Sequence, residues 1–210
     1  MRGNITYRLF SLTLLWPAAI ASSACPQSEE ASFRPTAVCN TIMQLDRGSF
    51  IVDYAPSLGI PQSVTYTVSP SDLGIIKREP SFKFKTDKET PKPRVSSSMY
   101  ANTGFQRGHM CPAASRSATR ALMRSTFIMT NVCPMTKHIN TGRWKMTENK
   151  ERAVARQTGM CNVIAAPLFY PCDTLRISKG RICVPHAFMK IIYTTKPPRV
   201  YGWYIIENVH

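Results

Sequence analysis

Three short runs in this sequence bring together groups that could act on a phosphate ester. The first is Phe105-Gln106-Arg107-Gly108-His109-Met110-Cys111-Pro112. A histidine titrating near neutrality can take a proton from water, and an arginine can hold a phosphate oxygen. In an extended segment, residues two apart share a face, so Arg107 and His109 point the same way. Alone, the triplet equally describes a buried, hydrogen-bonded structural histidine. The second run, Met129-Thr130-Asn131-Val132-Cys133-Pro134, contributes a side-chain amide at Asn131. The third is Asn140-Thr141-Gly142-Arg143-Trp144-Lys145-Met146-Thr147-Glu148, with Arg152 four residues on. A helix turns about 100° per residue, so with Asn140 at zero, Trp144 falls near ~40°, Glu148 near ~80° and Arg152 near ~120°. An amide oxygen and a carboxylate suit a hard cation such as Mg²⁺, and a guanidinium suits phosphate. The same spacing also describes an ordinary Glu148–Arg152 pair on a solvated helix.

The elements that must position these groups follow from pattern. Residues 50–54 and 64–68 read as strands, separated by Pro56 and Pro61. Residues 25–45 read as an irregular or briefly helical lead-in, and 77–98, basic and rich in proline, as a long surface loop. Residues 127–130 read as a short buried strand. Residues 141–157 have helical composition without proline, with Asn140 standing at the N-cap. Further strands are expected at 162–166, 181–184, 189–194 and 201–206, where Tyr201, Trp203 and Tyr204 read as strand packing. Strands, then a helix, then more strands predict an α+β domain with an antiparallel sheet.

The bulk properties set the setting. The net charge is +15, from 27 Lys+Arg against 12 Asp+Glu. Such a surface attracts polyanions: nucleic acid, an anionic membrane or an acidic polysaccharide. Apolar residues make up 43%, which excludes a chain disordered throughout. Residues 1–24 read as an export signal, with Arg2 and Arg8, an apolar run over 9–21, and Ala21-Ser22-Ser23-Ala24 for cleavage. That leaves 25–210 as a single domain, secreted or periplasmic, with lipid anchoring at Cys25 the lesser alternative. The run is too short for a permanent span, so no stable membrane insertion is expected. Seven cysteines fit an oxidising compartment, with one left over and with Cys172–Cys183 and Cys25–Cys39 as guessed disulfides. Cys111 and Cys133 could be imagined with His109 or His138 as a zinc site. The tight Cys-x-x-Cys pairs of such sites are missing, which favours a disulfide or two buried thiols.

In their order and spacing the three runs resemble the DNA/RNA non-specific endonuclease family, the ββα-metal (His-Me finger) nucleases. Its pattern is Asp-Arg-Gly-His, then Asn-x-x-Pro, then Asn-x-Gly-x-Trp-x-x-x-Glu on a helix, then an Arg four residues on. Here these are Gln106 through His109, Asn131 through Pro134, Asn140 through Glu148, and Arg152. Arg78 with Phe82 and Asp87 resembles the basic loop before the histidine motif. Residues 184–190, Val-Pro-His-Ala-Phe-Met-Lys, resemble a later family strand. The resemblance implies His109 as general base and Asn140 as the side chain holding a metal directly. It implies Glu148 reaching that metal through water, Arg107, Arg78 and Arg152 on the phosphate, and Asn131 as support. It also implies Mg²⁺, with Mn²⁺ able to substitute, DNA and RNA as partners, and products with 5′-phosphates. One departure stands out: Gln106 occupies the place of the family's Asp. That residue favours an alternative reading as a catalytically weak or silent binding module. A membrane-surface antimicrobial protein would explain charge and cysteines but leave the motif spacing to coincidence.

Overall fold

Alternation decides where the main sheet forms. Val64, Tyr66 and Val68 are buried, whereas Thr65 and Thr67 turn to the opposite face. The computed structural model describes residues 41–170 and 175–209. All of these belong to one unit, Ala31–His210, distinct from Met1–Glu30.

In chain order the elements are β1 (Met43–Asp46), β2 (Ile51–Ala55), β3 (Ile60–Val68), β4 (Gln106–His109), α1 (Arg120–Ser125), β5 (Val132–Met135), α2 (Lys137–Thr141), α3 (Arg143–Thr158), β6 (Cys161–Leu168), β7 (Arg176–Ile177), β8 (Ile182–Cys183), β9 (Ala187–Thr195) and β10 (Pro198–Glu207). Six strands form an antiparallel sheet in the order β1-β2-β3-β6-β9-β10. β4 and β5 make a separate antiparallel ribbon, pairing Gly108 with Cys133 and His109 with Val132. α3 lies across β3, β6 and β10. It presents Trp144, Thr147, Glu151, Val154 and Ala155, a buried stripe at helical spacing. The result is the expected α+β architecture, with β4, β5 and the helices after them forming a ββα unit.

Several expectations are corrected. The helix over 141–157 with Asn140 as N-cap is two helices, and Asn140 lies inside the first, α2. Gly142 makes the break, with φ −107 and ψ −107. A Cβ there would sit 2.5 Å from the His138 carbonyl oxygen, so the turn admits only glycine without rearrangement. The single rotation that aligned Asn140 with Glu148 therefore does not apply, although Trp144, Glu148 and Arg152 do share α3. The strand expected at 127–130 is displaced to β5. Residues Met129–Asn131 form a 3₁₀ turn, because the Asn131 side chain takes over bonds that a strand ladder would supply. The lead-in contains a strand, β1, where the sequence suggested none.

Among the described residues, the sheet's far face is half-buried or exposed. Register aligns Ile51, Thr65, Ile164, Ile191 and Trp203 in one row across five strands. Trp203 is 68% exposed, which corrects its assignment as strand packing; Tyr201 and Tyr204 do pack against the core. Cys111, Cys133 and Cys161 are free thiols, all buried, so more than one cysteine is left over. Burial pushes Cys111 and Cys161 up to about 12. The guessed pairs Cys172–Cys183 and Cys25–Cys39 involve residues outside those described, as does the 1–24 leader. Among the described residues no helix is long and apolar enough to cross a membrane.

Candidate active site

His109 ends β4. Its ring lies 4.9 Å from the Phe84 ring and meets Phe127 edge-on at 4.8 Å. Its Nε2 is buried and has no hydrogen-bond partner. Burial, and then the Arg78 charge, push His109 down to about 3. The imidazole is therefore neutral at ordinary pH, with an unengaged ring nitrogen. The same two phenylalanines carry both neighbouring arginines: the Arg78 guanidinium is 5.2 Å from the Phe127 ring centre, and that of Arg107 is 5.6 Å from Phe84. Arg107 and His109 thus share a face of β4, as the alternation predicted. Arg107 Nη1 also donates to the Ser97 carbonyl oxygen at 3.2 Å. Beside this cluster opens a recess of about 410 Å³, lined by Arg78, Glu79, Pro80, Phe82, Lys83, Phe84, Ser97 and Arg107.

The loop that carries Arg78 and Phe84 is not loose. Lys85 N–H donates to Phe127 O, and Met129 N–H donates to Lys85 O, both at 2.9 Å. Buried Asp87 accepts from Arg47 and, at 2.7 Å, from Thr130 Oγ1. These bonds dock the loop onto the segment leading into β5.

Asn131 is fully buried. Its Oδ1 accepts from Cys111 N–H at 2.8 Å, and its Nδ2 donates to Cys111 O at 2.9 Å and Thr126 O at 3.0 Å. It fixes the exit of β4 two residues past His109, which suits a supporting role. On the other side of the ribbon, Trp144 Nε1 donates to the His109 carbonyl oxygen at 2.9 Å, tying α3 to β4. Asn140 Nδ2 donates to Gln106 Oε1 at 2.8 Å. Asn140 is therefore held against the strand that bears His109, while its Oδ1 makes no hydrogen bond to another described residue. Glu148 lies in the second turn of α3. Burial pushes it up to about 7, with Lys190 pulling it down and Glu151 pushing it up further. Arg152 donates to Asn149 Oδ1 at 2.5 Å and Ser115 Oγ at 3.4 Å.

One cluster escaped the sequence reading. Glu151 and Lys190 are both fully buried and paired at 2.8 Å. Glu151 also accepts from Tyr66 OH at 2.9 Å and Ser115 Oγ at 2.6 Å. Lys190 Nζ sits 4.4 Å from the Trp144 ring centre. The pair braces the underside of α3, from which Trp144 reaches β4. Its signal was legible: Lys190 stands at an inward position of a strand, and Glu151 lies on the apolar stripe of α3, where an unpaired charge would be very unfavourable.

The profile of the DNA/RNA non-specific endonuclease family matches residues 33–209. The chain belongs to that family. A nuclease from Nostoc sp. is 30% identical over 154 residues, covering 72% of this chain and 54% of the relative. Nuclease C1 of Cunninghamella echinulata is 30% identical, covering 60% and 55%. The mitochondrial endonuclease G of Bos taurus is 27% identical, covering 70% and 52%. The chain spans about half the length of these curated relatives. A solved structure of the EndoG/EndoGI complex shares the fold at TM-score 0.72 and 17% identity, covering 82% of this chain and 76% of that one. The ββα unit, with its His109 strand and α3, is thus placed within a known architecture.

Proposed function

We propose that the protein is an exported, metal-dependent endonuclease that hydrolyses phosphodiester bonds of DNA and RNA with little sequence preference. The observation that supports this most is the gathering of a neutral His109 with Arg78 and Arg107 around two phenylalanine rings, on a ββα scaffold. His109 takes the proton from the attacking water through its unengaged ring nitrogen. Its depressed basicity rises once a phosphate draws the Arg78 charge away, since that charge is one cause of the depression. Arg78 and Arg107 hold the non-bridging phosphate oxygens and offset the charge of the transition state, with Arg152 contributing from α3.

The donor set fits a hard divalent cation. Asn140 offers an unspent amide oxygen, and Glu148 makes no hydrogen bond or ion pair with another described residue. Among the described residues no three His, Cys, Asp or Glu side chains cluster as a metal cage. Few protein ligands and retained water are the usual setting of Mg²⁺. Asn140 would hold it directly and Glu148 through water. When bound, Mg²⁺, or Mn²⁺ in its place, supplies positive charge to the phosphoryl oxygen and to the leaving 3′ oxygen, consistent with 5′-phosphate products. Contacts of this kind go to the backbone, which carries no sequence information.

The deciding experiment is incubation of the purified protein with supercoiled plasmid and with RNA, with and without chelator, beside His109→Ala. Cleavage of both substrates, lost in chelator and in the variant, is the expected result. A salt-dependent gel shift with no cleavage in Mg²⁺ or Mn²⁺ would instead establish the silent binding module that Gln106 favours.

A further inference from the structure

A second recess of about 690 Å³ adjoins the first, lined by Thr86, Lys92, Pro93, Arg94, Ser96 and Arg181. The two draw on neighbouring stretches of chain. Ser97 and Phe84 line the first, while Ser96 and Thr86, one and two residues away, line the second. Consecutive Cα atoms are about 3.8 Å apart, so along both segments the two linings lie within one or two residues of each other. Arg107, beside His109, is bonded to Ser97 of the first recess.

The charge of this second recess is one-sided by construction. The loop contributes three acids, and each is held in an ion pair. Glu79 pairs with Arg120, whereas Asp87 and Glu89 both pair with Arg47. Lys92, Arg94 and Arg181 form no ion pair with another described residue. Arg94 is pre-set rather than free: its Nε donates to Thr90 O and its Nη2 to Lys88 O, each at 2.8 Å. The site is also assembled by a specific device. Gly59, at φ +68, is the meeting point of the loop and the β7–β8 hairpin; a Cβ there would lie 2.3 Å from Arg181 O and 3.2 Å from Val95 Cγ2. Cys183 N–H, donating to Leu58 O at 2.8 Å, fastens the same hairpin. Three cations from two segments, none in an ion pair with another described residue, thus line one shallow, open recess, a surface suited to an anion.

We propose that the Lys92–Arg94–Arg181 recess is a phosphate subsite that holds the nucleic-acid strand flanking the bond cut at His109, extending the contact by one or more nucleotides. This rests on the nuclease reading of the first recess, and it assigns to the second the grip on longer substrates. Each such contact releases a condensed counterion, so it contributes to affinity and to its salt dependence together.

The test is equilibrium binding of fluorescein-labelled single strands of increasing length, in chelator so that no cutting occurs, over a range of salt. The wild type is compared with Lys92→Ala, Arg181→Ala and the double Lys92→Glu/Arg181→Glu, each checked for an unchanged melting temperature. Long strands should lose roughly tenfold in affinity per alanine change near 0.1 M salt, and the slope of log affinity against log salt should fall by about 1 per lost contact. The advantage of long strands over short ones should shrink in the same variants. Wild-type length dependence and salt slope in a folded double variant would overturn the subsite, whether or not the wild type cuts. A wild type that binds but does not cut once Mg²⁺ or Mn²⁺ is restored would overturn the nuclease reading instead, because binding is measured without catalysis.

Discussion

The Asn140 side-chain amide donates to Gln106 Oε1 at 2.8 Å, joining the helix after the ribbon to the strand that carries the histidine. The bond orients the carboxamide by its nitrogen and leaves its oxygen unspent. In the family pattern an Asp stands where this chain has Gln106. A carboxylate acceptor makes a bond about twice as strong as a neutral one and places a negative charge beside a cation site. Gln106→Asp should therefore lower the Mg²⁺ concentration needed for half-maximal cleavage several-fold. An unchanged or raised requirement in a metal titration would show that Gln106 only positions Asn140.

His109→Ala should lower the cleavage rate by about 10² to 10⁴, the usual range for a general base. Burial and Arg78 hold the imidazole at about 3, so its own ionisation in the free protein leaves kcat/KM flat from pH 8 down to about pH 5. The slope of kcat/KM against pH measures this. A steep acid limb near 6.5 that persists in Glu148→Gln would mean that the folded protein does not depress this histidine. Its effect on stability has the same origin. The unfolded chain binds the proton near 6.5 and the folded chain near 3, so stability falls as pH drops through that window.

Glu148 runs in the opposite direction. Its folded value, about 7, lies above the ordinary 4.5, so the folded state holds a proton that the unfolded state releases. Stability contributed by the protonated form is present below about 4.5 and is lost as pH rises through 7. Glu148→Gln should therefore stabilise the protein at pH 8, on the order of 3 kcal/mol at most, and have little effect at pH 4.5. Urea unfolding at the two pH values checks this. The same variant should weaken Mg²⁺ activation, and in the wild type that activation should strengthen with pH up to about 7.

Lys190→Met leaves Glu151 buried without its partner and should destabilise by about 3–5 kcal/mol. Adding Glu151→Gln removes the stranded charge and should recover part of that loss. A double variant no better than the single would show that the hydrogen bonds from Tyr66 and Ser115 matter more than the ion pair.

The sheet was legible where alternation of residue type matches burial, as in 64–68, where Val64, Tyr66 and Val68 turn inward. In 189–194 the inward positions include Lys190 and Thr194, so type alone does not report burial there. The shared face of Arg107 and His109 followed from the same rule. What escaped depended on contacts distant in sequence. The break at Gly142 is set by a close approach to the His138 carbonyl, and composition alone read the stretch as one helix. The turn at Met129–Asn131 replaces a strand because Asn131 spends its amide on Cys111 and Thr126, a partnership that no local pattern announces. Trp203 read as a core residue since aromatic residues usually are; β10 is the sheet's last strand, and its outer face has no neighbour among the described elements. Glu151 was passed over beside the more conspicuous Glu148, although only Glu151 is sealed in the interior.

The three thiols enclosed by the fold have a consequence for production and handling. Disulfide exchange needs an accessible thiolate, and Cys111, Cys133 and Cys161 offer neither access nor ionisation once the chain is native. While the chain is still open, the same sulfurs are ordinary reactive cysteines. Oxidant present during refolding competes with collapse, whereas oxidant added afterwards finds these positions closed. The timing of oxidation, rather than its strength, decides whether these three sulfurs are modified.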